Sequence, residues 1–395
     1  MRMFSATWQR AATGKRAEMQ DVGLLQESAG SCGKRICAGK AAAPRAPSAP
    51  CPGRPRRGLG GGPAVAAAVL LGVFGVLGMS GVADQYAAAV TIDWVTVGDA
   101  GNTSDNPWGA VADAFQIMKY EFTNSQYVEF LNAVDPNGTN PNAIFNSSMN
   151  SDNIGGGISF NSGAASGSKY AVKTNFGDKP VNYVTWFDAA RVSNWLHNGQ
   201  GSGSTETGAY TLNGQTTGTA PAVNPGAVYY LPTENQWYKA AFYKGGGTNA
   251  GYWDYATQSD SDPTHVTADS NGNGSAGGIG NFANYQRVAD WNNENGNVTT
   301  VGTNGGPSAY GTFDMSGNVK EWTNTGTSNK AIRGGDYVGA AQFIRSTFTF
   351  DLAPDTPAAT IGFRLAAVPE PSTLVMGLAG IACAGWGAYR RRRAR

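Results

Sequence analysis

Cysteine is nearly absent, and its placement excludes more than its number does. The four cysteines are Cys32, Cys37, Cys51 and Cys383, so nothing between residues 52 and 382 can form a disulfide, act as a thiol nucleophile or hold a metal through thiolate. Histidine is almost as scarce. His197 and His265 are too few and too far apart for a histidine metal triad, and both read as surface side chains. Positive charge is missing from the middle of the chain. The formal net charge is +1, but residues 1–89 hold 11 of the 29 lysines and arginines and the last six residues hold 5, which leaves 90–368 with 13 basic and 23 acidic side chains, a net of −10. Such a stretch lacks the basic surface that nucleic-acid binding requires. Charged residues make up only 14% of the chain and 55 residues are glycine, the composition of a globular protein with many loops.

Long apolar runs occur only near the two ends, and both read as addresses. Arg54, Arg56 and Arg57 precede "PAVAAAVLLGVFGVLGMSGVA", and Ala87-Ala88-Ala89 follows, which gives 54–89 the charged, apolar and small-residue parts of a signal peptide and predicts export. A retained transmembrane helix is the alternative, and the alanine-rich exit argues against it. Residues 1–53, rich in Ala, Pro and Arg without apolar periodicity, are either a disordered extension or a misassigned start. At the other end, Thr373 to Tyr389 is an uncharged apolar run of 17 residues. As a helix it would span about 25 Å, slightly less than the roughly 30 Å hydrocarbon core of a bilayer. Arg390 to Arg393 would hold its end in the cytoplasm. The order Pro369-Glu370-Pro371, apolar span, arginines closely resembles the PEP-CTERM sorting signal of Gram-negative bacteria, here 368–395. That resemblance implies recognition by an exosortase, cutting near Pro369-Glu370-Pro371, and a final place at the cell surface, in the outer membrane or outside the cell. An ordinary C-terminal membrane anchor is the alternative.

Between these addresses the pattern is a few helices separated by polar loops. "FTNSQYVEFLNAV" puts Tyr127, Phe130, Leu131 and Val134 on one face, with Thr123 or Asn124 as cap. "VTWFDAARVSNWLHNG" starts at Thr185 and stops at Gly199. In "LPTENQWYKAAFYKGGG", Thr233 and Gln236 form a capping box and Gly245 supplies the stop. "AVTIDWVTVG", "AVYYL" and "GFRLAAV" are β-prone, while 135–180, 198–227 and 245–283 are rich in Gly, Asn, Ser and Thr. Loops this long belong to a fold that specialises in irregular structure.

Seven segments in order, "WVTVGDAGN", "FQIMKYEFTNSQYVEFLNA", "KPVNYVTWFDAARVSNWL", "YYLPTENQWYKAAFY", "YGTFDMSGNVKEW", "IRGGDY" and "IGFRLA", resemble the formylglycine-generating enzyme (sulfatase-modifying factor) family over roughly 92–367. The resemblance implies an α+β, loop-rich single domain over 90–367 with a C-type-lectin-like core and calcium that stiffens the loops. By its calcium loop, the ligands would be Asp314, Gly317, Val319 and Glu321. Two carboxylates and two carbonyls, pointing the same way if the segment is extended, are hard-oxygen chemistry suited to calcium. Otherwise Asp314 caps a turn and Glu321 is solvated. A second calcium would fall to Asn284, Tyr285, Asn295 and Asn297, with Asn295 where the family usually has Asp, a loss of charge that lowers affinity. Trp94, Trp186, Trp195, Trp237 and Trp322 read as core or loop-pinning residues, with a sugar platform as the other reading.

The reaction of the family's catalytic members uses a cysteine pair shortly after the Arg-Gly-Gly turn, which binds copper as thiolates. The matching positions here are Gly339 and Ile344, so copper is not expected. The helical domain that supplies histidines in an iron-dependent branch is missing from the sequence as well. Two function classes remain: a non-catalytic extracellular module that binds a polysaccharide, a matrix component or a protein, and an oxidative enzyme of the family that modifies a protein side chain by an unrecognised site. A fold can persist while its site does not, which favours the module.

Overall fold

A computed structural model describes residues 89–105, 107–152 and 155–369. The leader, the 1–53 extension and the 373–389 run lie outside the described residues. Among those described, no helix is long and apolar enough to cross a membrane. The chain order is β1 (Trp94–Val97), β2 (Phe115–Met118), α1 (Asn124–Val134), α2 (Ser148–Ser151), β3 (Ile158–Phe160), β4 (Tyr170–Val172), α3 (Trp186–His197), β5 (Tyr229–Tyr230) and α4 (Glu234–Phe242). It continues through β6 (Thr264–His265), β7 (Phe282–Ala283), β8 (Lys320–Trp322), β9 (Lys330–Arg333), β10 (Phe350–Leu352), β11 (Ile361–Gly362) and β12 (Ala366–Ala367).

The three long helices start where threonine can satisfy the orphan amides of a first turn. Thr123 and Gln126, Thr185 and Asp188, and Thr233 and Gln236 each form a reciprocal capping box. α1 buries Tyr127, Phe130 and Leu131 and leaves Val134 half-buried. α3 is buried on every side but at His197, and several of its polar groups find partners inside: Arg191 Nε donates to Glu206 Oε1 at 2.8 Å, and Asn194 Nδ2 donates to the carbonyls of Thr205 and Tyr210. α4 ends earlier than the glycine signal placed it. Tyr243 turns extended and bridges Tyr252, so Gly245, with φ +72°, belongs to the loop that follows.

Two four-stranded sheets carry the rest. One has the order β1-β2-β12-β5 and is antiparallel throughout, with Ala366 opposite both Ile117 and Tyr230. One of its two inner strands, β12, therefore comes from the last described residues of the domain. The other has the order β10-β9-β8-β11, with β8 and β11 parallel. Trp186, Trp195, Trp237 and Trp322 are buried in the core, and Trp322 Nε1 donates to the Val184 carbonyl at 3.0 Å. Trp94 is half-buried and stacks on Tyr229 at 5.5 Å. Single β-prone segments that looked like one strand in sequence split in two: "GFRLAAV" and the residue before it supply both β11 and β12, one to each sheet.

Candidate functional site

The turn after β9 is held from below by its own arginine. Arg333 Nε donates to Glu234 Oε1 at 2.8 Å, while Nη1 donates to the carbonyls of Ser346 (2.8 Å) and Phe348 (2.9 Å). Its guanidinium lies over the Trp108 ring at 4.2 Å, and burial pulls its pKa down against the pull of Glu234. The two glycines follow from packing. Gly335 has φ +67°, and a Cβ there would meet the Phe343 carbonyl at 2.4 Å.

Beyond the turn a cavity of about 260 Å³ opens, walled by Val338, Phe343, Phe348 and Phe350, with Gly335, Gly339, Lys320 and Asp336 completing it. Phe343 and Phe348 meet edge to face at 4.8 Å. Phe343 is 37% and Phe350 49% exposed, so aromatic surface faces the opening. The polar groups are already engaged: Asp336 Oδ1 accepts from the amides of Val338 (2.9 Å) and Gly339 (2.7 Å), and Oδ2 is paired with Lys320. Arg345 does not line this cavity; it pairs with Asp254. Ile344 is fully buried against Tyr255, Ala283 and Tyr285. The site offers shape and apolar contact; its two charged groups, Lys320 and Asp336, are paired with each other, and its lining holds no soft metal ligand.

The two candidate calcium sets, separate in sequence, meet in space. Asn284 Nδ2 donates to Asn318 Oδ1 at 3.2 Å, the Asn284 carbonyl accepts from Asn318 N at 2.9 Å, and a Cβ on Gly317 would strike that carbonyl at 2.4 Å. The segment is not extended as the carbonyl argument assumed: Gly317 (φ +105°) and Asn318 (φ +62°) turn left-handed. The carbonyls of Gly317 and Val319 accept no hydrogen bond from the described residues. Asp314 accepts from Gly302 N at 2.5 Å and Asn304 Nδ2 at 2.9 Å. Glu321 is not solvated. Its oxygens take Arg364 Nε and Nη2, both at 2.7 Å, and Trp237 Nε1 at 2.7 Å. Each carboxylate keeps lone pairs beyond these donors, so a cation here would share Asp314 and Glu321 with partners they already have. In the second set Asn284, Tyr285 and Asn297 are buried and Asn295 is exposed. Asn284 Oδ1 and Asn297 Nδ2 are buried without a partner, and the Tyr285 carbonyl accepts nothing among the described residues. The Asn284 oxygen is an acceptor that water or a cation would satisfy, whereas Asn297 Nδ2 is a donor and calls for an acceptor such as water.

Sequence reasoning missed two members of this cluster. Glu121, fully buried, has one carboxyl oxygen without a partner, while Asn318 Nδ2 reaches the other at 3.4 Å. Burial, then the nearby Asp314 and Glu321, raise its pKa well above the usual range despite Arg364. Arg364 is also fully buried; burial works against its charge, yet Glu321, Glu121 and Asp314 hold it more firmly protonated than usual. Both stood in quoted segments, Glu121 between Tyr120 and Phe122 and Arg364 between Phe363 and Leu365. A charge flanked by apolar neighbours is the signal that could have found them.

The family model of the Sulfatase-modifying factor enzyme 1-like domain matches residues 95–368, and that of the PEP-CTERM protein-sorting motif matches 367–393. The chain belongs to the sulfatase-modifying factor family. Among solved structures it is similar to CarF (22% identity, 71% of this chain and 99% of that one, TM-score 0.42) and to Treponema denticola variable protein 1 (17%, 70% and 95%, 0.38). PvdO from Pseudomonas aeruginosa is also similar (17% identity, 70% of this chain and 92% of that one, TM-score 0.34). No curated protein matches. The described domain has the mixed, loop-rich fold of the sulfatase-modifying factor family. The tail motif is read by exosortase sorting machinery and directs export in bacteria. Gly339 belongs to the cavity lining, and Ile344 is fully buried outside it.

Proposed function

We propose that this protein is a non-catalytic binding module of the sulfatase-modifying factor family, displayed at the cell surface, in the outer membrane or outside the cell once its tail is processed. The observation that carries the reading is the cavity beside the Arg-Gly-Gly turn, which has aromatic walls and a paired Lys320 and Asp336; Gly339 in its lining and the buried Ile344 stand where the resemblance puts the cysteines of catalytic relatives. Its ligand would be an extracellular polysaccharide or protein that offers apolar contact.

Calcium is part of the same proposal. Asn284 Oδ1 and the carbonyls of Tyr285, Gly317 and Val319 would hold it, with Asp314 and Glu321 supplying charge. There it would offset three buried carboxyl groups that face one guanidinium. The unpartnered Asn284 oxygen and the free carbonyls support this.

Two assays on the purified protein test the proposal. Metal analysis should find calcium and neither stoichiometric copper nor iron, and a Cys-x-Pro-x-Arg peptide should emerge without formylglycine. Stoichiometric copper or iron, or formylglycine formation, would return the protein to the oxidases.

A further inference from the structure

The two ends of the described domain leave it at one place. Val90 N donates to Gln200 Oε1 at 2.7 Å, and Gln200 Nε2 returns a bond to the Val90 carbonyl at 3.1 Å. One turn back, His197 Nδ1 accepts from Val228 N at 3.2 Å, and the Val228 carbonyl accepts from Val368 N at 3.0 Å. The C-terminal end of α3 is thus the post to which both chain ends are tied.

That end differs from the rest of the domain in charge and polarity. The segments that compose it, 89–92, 197–203, 224–230 and 366–369, contain no lysine, arginine or carboxylate, with exposed Asp93 at its rim and Glu370 next in the chain after Pro369, on a stretch whose net charge is −10. They expose Val228 (39%) and Val368 (49%), two of the five large apolar side chains that stand out among the described residues. Phe343 and Phe350, two of the others, belong to the ligand cavity.

The tether beyond is short. Pro369 is the last described residue and Thr373 begins the uncharged apolar run, so four peptide steps, at most about 14 Å, separate them. A domain of this length has a radius of gyration of about 19 Å. A tether shorter than the body it holds cannot let another side turn toward the membrane. The leader imposes the same limit until it is cut, since only residues 84–88 lie between its apolar run and Ala89.

We propose that this end of the domain, marked by Val90, His197, Gln200, Val228 and Val368, is a docking face for the bilayer surface. While the tail is uncut, the domain stands on it. With its carboxylates confined to Asp93 at the rim and Glu370 in the tether, it repels anionic headgroups less than a randomly presented acidic surface would. Val228 and Val368 add apolar contact at the interface. The cavity proposed to hold the ligand is built on the other sheet, with Lys320 of β8 and Phe350 of β10 in its lining.

The cysteine-free domain makes the test clean. In the full chain, with Cys32, Cys37, Cys51 and Cys383 replaced by serine or alanine, single reporters are introduced as Val228→Cys, Ser202→Cys, Ile279→Cys and Phe350→Cys. Each is labelled with a fluorophore and placed in phosphatidylethanolamine–phosphatidylglycerol nanodiscs that carry headgroup spin labels. Quenching should be severalfold stronger at 228 and 202 than at 279 and 350. Equal quenching at all four positions, or the strongest at 279 or 350, would overturn the proposal. Ser202 lies on the exposed loop after α3, so it reports on the same end should labelling at 228 disturb the fold.

Discussion

Arg333 joins Glu234 of α4 to the backbone that carries two of the cavity's phenylalanines: one guanidinium edge meets the carboxylate at 2.8 Å, and Nη1 holds the Ser346 and Phe348 carbonyls. The residue that heads the glycine turn therefore fixes the shape of the cavity without facing it. Removing one partner of a buried ion pair strands the other. Arg333→Met should lower unfolding free energy by about 3–5 kcal/mol in chemical denaturation, and a loss under 1 kcal/mol would show that the clamp is dispensable.

Glycine is demanded at 335 by contact as well as by φ. At Gly214, with φ +82° and open space around it, alanine should cost about 1 kcal/mol from the left-handed backbone alone. At Gly335 the new methyl would meet the Phe343 carbonyl, so Gly335→Ala should cost about 3 kcal/mol or more. Paired urea melts of the two variants give the comparison, and equal losses would refute the packing argument.

Asp188 links folding to pH. Burial, against the bonds from Thr185 and the charge of Arg191, raises its pKa from 3.8 to about 6. A carboxyl whose folded pKa is raised stabilises the fold fully below its unfolded value and loses that contribution as pH climbs through the folded one. Stability should therefore fall between pH 4 and 6, by up to about 3 kcal/mol at roughly 1.4 kcal/mol per unit. Asp188→Asn, which keeps an acceptor for Thr185 without the charge, should flatten that slope in thermal melts taken across the range. A slope unchanged from the parent would assign it elsewhere.

Asn284→Asp separates calcium from water as the occupant of the orphaned oxygen. Without metal the variant should lose about 1–3 kcal/mol, because the amide donates to Asn297 and Thr299 and a carboxylate cannot. With calcium it should bind about tenfold tighter than the parent, since an added ligand charge raises affinity. Calorimetric titration that shows no calcium binding in either protein would remove the metal from the proposal.

The sequence was most legible where local chemistry decides structure. Thr233 and Gln236 announced α4 because a capping box needs only neighbours three apart, and Thr185 likewise marked the start of α3. The end of α4 was not legible, since Tyr243 leaves the helix to pair with Tyr252 across a loop. The convergence of the two candidate calcium sets, with Glu121 and Arg364 among them, was hidden for the same reason. Asn284 and Asn318 touch across 34 positions, Glu321 and Arg364 across 43, and no spacing rule relates them. Phe343, Phe348 and Phe350 carried no signal in sequence, because their convergence depends on what Arg333 holds.

The strand that sits between β2 and β5 is Ala366–Ala367, the last strand of the domain. A polypeptide delivered amino end first can form its helices early, but this sheet has a gap at its centre until the final residues arrive. The strand that closes this sheet and the start of the sorting motif thus share Ala367, so the end of the fold and the beginning of the address are one segment of chain.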